Sequence, residues 1–230
     1  MIRRKPLECC RMRAYLLLAA LLSVSSAVAA PFAVQVGEAR IGLDAPPGFA
    51  DSSFTGSPRL QELSESLTSA SNRVLLFALT DADLRRFTLG DPLELRRYMI
   101  AVTPRASERE RMTPGAFKAY AAESLRELGP LPPPGDYRKY LESLPAGAVS
   151  LLAELRNEPD AITLLQGART KPSGYFERPK YQLASISVVL LRGKPLTLSV
   201  YTQYDEPADL EWLRVTTARW IDELKRLNAR

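Results

Sequence analysis

Residues 181–227 leave this chain little choice of fold. Tyr181–Leu191 (YQLASISVVLL) and Leu196–Tyr204 (LTLSVYTQY) are rich in β-branched and aromatic residues, and Arg192-Gly193-Lys194-Pro195 between them reads as a hairpin turn. A helix must follow. Asp205, Glu206 and Asp209 place negative charge at its positive end, Lys225 and Arg226 balance the other end, and Leu210, Leu213, Thr217, Trp220, Ile221, Leu224 and Leu227 form one stripe. A hairpin with an apolar face followed at once by an amphipathic helix folds as an antiparallel sheet with the helix laid on it.

The preceding residues supply the rest of such a sheet. Val34–Val36 and Arg40–Asp44 alternate around Gly37 as a two-stranded ribbon, which Pro46-Pro47-Gly48 ends, with Phe49 tucked beneath. Leu60, Leu63 and Leu67 predict a short helix over Arg59–Ala70. The apolar runs Arg73–Thr80 and Arg97–Thr103 predict buried strands joined by a polar connection over Asp81–Pro92. Thr113 caps, and Pro114 opens, a helix with the stripe Phe117, Tyr120, Ala121, Leu125 and Leu128, closed by Gly129. Pro130–Gly135 is an extended connector, and Asp136 caps a short helix carrying Tyr137, Tyr140, Leu141 and Leu144. Residues 148–157 fit both periods, as a helix or as a strand. The turn Asn157-Glu158-Pro159-Asp160 and the hairpin partner Ile162–Ala168 weigh toward strand.

The predicted fold class is therefore α+β: an antiparallel sheet with helices packed on its faces, α/β/α sandwich-like, in a single domain over residues 30–230. This layout resembles the exported DcrB-like and PsbP-like α/β/α sandwich domains. The matching features are the ribbon ending in Ala45-Pro46-Pro47-Gly48-Phe49, the Thr113–Leu128 helix after a strand, and the hairpin and helix from Tyr181 to Leu227. The resemblance covers most of the chain after its leader. It implies an accessory or binding role and carries over no functional residue.

Residues 1–29 read as a secretory signal peptide: a basic stretch ending at Arg13, an apolar core from Ala14 to Leu22, then small residues. Ala27-Val28-Ala29 predicts cleavage after Ala29, with Ala30 the alternative, and Met12 is an alternative start. The core is too short for the ~20 residues of a spanning helix, so no transmembrane segment is expected once the leader is removed. Both cysteines, Cys9 and Cys10, fall inside the leader. The chain is accordingly expected in the periplasm or outside the cell, without disulfides. Its Arg-rich usage, 24 Arg against 7 Lys, points to a GC-rich bacterial genome. Charge gives no reason to expect nucleic acid as a partner. The leader holds five of the 31 basic residues and one of the 26 acidic, so the remainder carries a net charge near +1.

Composition also removes whole classes of chemistry. The chain contains no histidine, and without its leader no cysteine, so Ser-His-Asp relays, Cys-His pairs, imidazole metal sites and thiolate clusters are unavailable to it. Gly193-Lys194 runs into Pro195 with no glycine-rich loop before it, so it is not a P-loop. No cofactor is expected. Carboxylate pairs are what remains: Asp81 and Asp83, two apart near a strand end, could serve acid–base work of the glycosidase kind, or could simply cap a helix. Arg105, Arg109 and Arg111 are interleaved with Glu108 and Glu110, as in a solvated linker, and Tyr137 and Tyr140 beside Arg138 and Lys139 fit core packing better than an aromatic–basic surface. In Thr170–Lys180 (TKPSGYFERPK), Pro172, Gly174 and Pro179 forbid regular structure. Tyr175 and Phe176 there are candidate partner-binding residues, or else a lid over a sheet edge. The functional expectation is an exported, non-catalytic accessory or binding module for an envelope protein, a polymer or a small molecule. The alternative is a carboxylate-dependent hydrolase.

Overall fold

The computed structural model describes residues 31–126, 130–131, 135–170 and 180–229. The predicted opening ribbon is present as β1 (Phe32–Val36) and β2 (Ala39–Leu43), paired antiparallel with Val34 opposite Ile41. Gly37 makes its turn at φ 56°, where a Cβ would collide with the carbonyl oxygen of Glu108. Phe49 N–H donates to the Pro46 carbonyl at 3.1 Å, and the chain enters a three-residue strand, β3 (Phe49–Asp51). A 3₁₀ turn at Ser52–Thr55 and helix α1 (Pro58–Ser66) follow. This helix stops short of the predicted Ala70. The hydroxyls of Ser64 and Ser66 donate back to the carbonyls of Gln61 and Leu63, and Leu67 ends the helical run.

Strand β4 (Asn72–Thr80) does not lead into a polar connection, as the sequence predicts, but directly into helix α2 (Asp81–Leu89). Thr80 Oγ1 accepts from the Asp83 N–H at 3.1 Å, and the helix ends at Gly90 in the left-handed region, φ 86°. Strand β5 (Arg97–Pro104) then leads to α3 (Pro114–Arg126), with Thr113 Oγ1 accepting from Ala116 N–H as its cap. Asp136 caps α4 (Tyr137–Ser143), accepting from the N–H of Arg138 at 2.8 Å. The ambiguous segment is strand, β6 (Val149–Glu158), hairpinned to β7 (Ala161–Arg169). The terminal hairpin is β8 (Tyr181–Leu191) and β9 (Lys194–Gln203), turning through Arg192 and Gly193, both at positive φ. Helix α5 (Pro207–Asn228) closes the chain.

Seven strands form one antiparallel sheet in the order β3-β4-β5-β9-β8-β7-β6. Alternation along each strand divides its side chains between two faces. Met99, Ala101, Leu183, Leu198 and Val200 point to the face covered by α5, α4 and the ribbon, where Trp220, Ile221 and Leu224 are buried. The opposite face carries two patches. Phe77, Leu79, Tyr98, Ile100 and Val102 pack with α1 and α2, whereas Ile162, Leu164 and Val188 pack with Phe117, Ala121 and Leu125 of α3. The result is a single α+β domain of three layers, with helices on both faces of the sheet.

Candidate functional site: a groove at the sheet edge

The short β3 sets up a groove at one edge of the sheet. It pairs only with Ala78–Thr80 at the end of β4, and the chain then swings away into the Ser52–Thr55 turn. Residues 72–77 of β4 therefore have no strand on that side among the described residues. Helix α1 runs alongside instead of a strand. Between helix and strand lies a cavity of about 650 Å³, lined by Asp51, Gln61, Ser64, Glu65, Arg73 and Arg105 among others. That size falls within the about 300–1,000 Å³ of ordinary ligand clefts.

Asp51 sits at the β3 end of this groove and is 4% exposed. Its carboxylate accepts from the Ser53 N–H at 3.1 Å, the Ser53 hydroxyl at 2.5 Å and the Phe77 N–H at 3.4 Å. It thereby takes the place a fourth β3 residue would have held against β4. The side-chain polar groups along the walls are mostly spent on one another. Gln61 donates to Glu65 at 3.0 Å, Asn72 to Thr68 at 2.9 Å, and Ser69 pairs with Ser71 at 2.9 Å. Arg73 donates to the Gln35 carbonyl and to Glu108, each at 3.0 Å. Arg105, exposed where β5 ends, has a guanidinium without a carboxylate or carbonyl partner among the described residues. The linear pattern barely announces this groove. Its one trace is the Asp51-Ser52-Ser53 run, which stops a strand too early to cover the longer β4.

The carboxylates singled out from the sequence are placed elsewhere. Asp81 and Asp83 lie in the first turn of α2, and Asp83, 4% exposed, is committed to structure. It accepts from the Thr80 hydroxyl at 3.1 Å and from the Glu94 N–H at 2.8 Å, tying the helix start to the segment before β5. Asp81 stays exposed. The nearby cleft of about 400 Å³ mixes charges that pair off: Arg86 with Glu94 at 2.6 Å and Arg97 with Asp209 at 2.9 Å. Burial disfavours the charge of Asp209, but the N–H groups of Asp205 and Glu206 and the Arg97 guanidinium outweigh it and hold the carboxyl below the usual range. Asp205, Glu206 and Asp209 thus form the start of α5, as their spacing predicts.

The segment carrying Arg105, Arg109 and Arg111 is anchored through its backbone. Lys194, 3% exposed, donates from Nζ to the carbonyls of Glu108, at 2.8 Å, and of Glu110. Tyr137 and Tyr140 pack against the core, and the Tyr140 hydroxyl meets Ser150 Oγ at 2.9 Å. Arg138 lies 4.1 Å from the Tyr181 ring centroid and donates to the Tyr204 carbonyl. The candidate binding residues Tyr175 and Phe176, the helix end predicted at Leu128-Gly129 and the predicted leader lie outside the described residues. Among the described residues no cluster of three or more acidic side chains could hold a metal ion, and no helix is long and apolar enough to cross a membrane.

Fold and groove define a three-layer α+β protein with an open sheet edge walled by a helix. No family model matches the chain, and no curated protein matches it. Among solved structures it is similar to the Saccharomyces cerevisiae Ran-binding protein Mog1p, at a TM-score of 0.38 and 11% identity, covering 87% of this chain and 93% of that one. A superposition this loose transfers neither a site nor a partner.

Proposed function

We propose that the chain is an exported, non-catalytic binding module and that the groove between α1 and β4 is its binding site. The observation that carries the reading is the groove itself: about 650 Å³ of polar-walled space in which the buried carboxylate, Asp51, accepts three hydrogen bonds. A site built this way can hold a ligand but offers no poised acid–base pair to transform it. Export is supported by the basic–apolar–small order of residues 1–29. The resemblance to DcrB-like and PsbP-like domains points the same way, toward an accessory role.

Two measurements test this. The intact mass of protein recovered from the periplasm or culture medium is expected to begin at Ala30 or Pro31; an unprocessed chain held in the membrane fraction would overturn export. A photo-reactive benzoylphenylalanine in place of the exposed Gln61 is expected to trap an adduct in the same fraction, and one in place of Lys118 on α3 is not. Equal adducts from both positions, or none from Gln61, would remove the groove from consideration.

A further inference from the structure

Pairing within the groove walls leaves much of their hydrogen-bonding capacity open. A hydroxyl has one proton to donate and two lone pairs to accept. Ser53 and Ser64 have each donated, to Asp51 and to the Gln61 carbonyl, and can still accept. Thr68 has accepted from Asn72 and can still donate. Ser52 is unspent altogether. It is 5% exposed and lines the groove, its hydroxyl has no partner among the described residues, and that oxygen is not sealed off from solvent. Ser57, at the N-cap of α1, does not use its hydroxyl to cap the helix. A hydroxyl held as deep as that of Ser52 is positioned by the fold rather than by its own bonds, and it is free for whatever occupies the cavity.

The rest of the lining narrows the occupant. It holds two carboxylates, Asp51 and Glu65, and two guanidiniums, Arg73 and Arg105, so charge selects neither a cation nor an anion. Of its apolar residues, Leu75, Leu76 and Phe77 are buried, which leaves only half-buried Val74 and exposed Ala70 to meet a ligand. That is no pocket for the large apolar anchors of a protein partner. Resting on the proposed function of this groove, we infer that its ligand is a neutral oligosaccharide. Each sugar hydroxyl both donates and accepts, as the walls do. Neighbouring ring hydroxyls suit the fork of donors on Arg105 and the Glu65 oxygen that Gln61 leaves free. The sugar is held and not cut: glycosidic cleavage takes a pair of free carboxyl groups, and Asp51 is committed to three hydrogen bonds.

The test uses the leaderless protein on an array of immobilised glycans, with neutral gluco-, manno- and N-acetylglucosamine oligomers beside sulfated and uronic ones. Neutral oligomers are expected to be retained. Their affinity in solution should stay within about twofold between about 50 mM and about 500 mM salt, since no ion pair holds them. Ser52→Ala and Ser57→Ala should each weaken binding by about two- to tenfold, the worth of one hydrogen bond. Neither hydroxyl is bonded among the described residues, so both variants should melt as the parent does, which separates lost binding from lost packing. Gln61→Trp, whose exposed indole fills the groove, should abolish retention, and Glu65→Trp is a second block should the first fail to fold. Bound oligomers should be recovered at their original length; shortened products would overturn binding without cleavage. No retention of neutral glycans, retention of charged ones alone that fades with salt, or binding indifferent to Ser52→Ala and Gln61→Trp overturns the saccharide assignment. If saccharides fail while the Gln61 cross-linker still traps an adduct, the ligand class falls and the groove stands as a site; if both fail, the proposed function falls with it.

Discussion

Asp44 leaves β2 with its backbone carbonyl held by the Trp220 indole N–H at 2.8 Å and one carboxylate oxygen, Oδ1, buried without a hydrogen bond. Burial pushes its pKa up, the Ala45 N–H opposes the rise, and the nearby Glu223 adds to it. A carboxyl that holds its proton more tightly when folded makes the native state progressively less stable as pH rises above the ordinary carboxylate range of about 4. Asp44→Asn is therefore expected to raise the melting temperature at pH 7, with the difference gone near pH 3; melts at the two pH values check it. Asp209 has the opposite sign. With its carboxyl held below the usual range, the stability it contributes with Arg97 is present above about pH 4 and is lost as pH falls through the lowered value. An Asp209→Asn variant should accordingly be less stable than the parent at pH 7, and the gap should close in acid. Gly37 is constrained sterically. Alanine there meets both a positive φ and the Glu108 carbonyl, so Gly37→Ala should cost about 1–3 kcal/mol in a denaturant melt.

At the scale of elements, the two edges of the sheet are finished differently. The β6 edge is broken by two register shifts, near Leu151/Ala153 and Glu154/Arg156, and carries Glu154, Arg156 and Glu158 in its second half. Those devices spoil pairing. The β4 edge has one such shift, between Val74 and Leu76, and an apolar sequence. The segment between β5 and α3 is held by Arg73 at Glu108, by the Met112 N–H on the Gly193 carbonyl, and by the Lys194 ammonium. Lys194→Met would strip Nζ from two carbonyls, and a loss of about 1–3 kcal/mol with faster amide exchange over residues 105–112 is the expected result. The terminal hairpin and α5 were legible in the sequence because each sustains one period over ten or more residues. Helix α2 was not, because only Leu84 and Phe87 pack inward from it and charged residues occupy much of the rest. Its caps, Thr80 with Asp83 and then Gly90, were the readable signal, and the apolar run before them outweighed it. The groove lay beyond reach for another reason. The apolar run of β4 looks the same whichever strand lies beside it, and strand order is a property of the whole sheet.

In the whole molecule, β9 pairs with β5 on one side and β8 on the other, so it joins the half-sheet β3-β4-β5 to the half-sheet β8-β7-β6. The β5–β9 pairing sets Arg97 opposite Thr202 and Val102 opposite Thr197, about a hundred residues apart in the chain. Remove β9 and α5, and each half-sheet keeps an exposed inner edge and loses the helix that buries Trp220 against it. A chain ending at residue 190 is expected to show no cooperative unfolding transition, whereas one spanning residues 30–230 should melt in a single step; circular dichroism of the two distinguishes these outcomes. Pairings this distant also make for slow folding, on the millisecond-to-second scale rather than microseconds. Translated into the timetable of synthesis, the keystone strand leaves the ribosome after every strand it joins. Until it does, the polypeptide has no finished sheet to fold into, and a channel that threads only unfolded chains would find it still a thread.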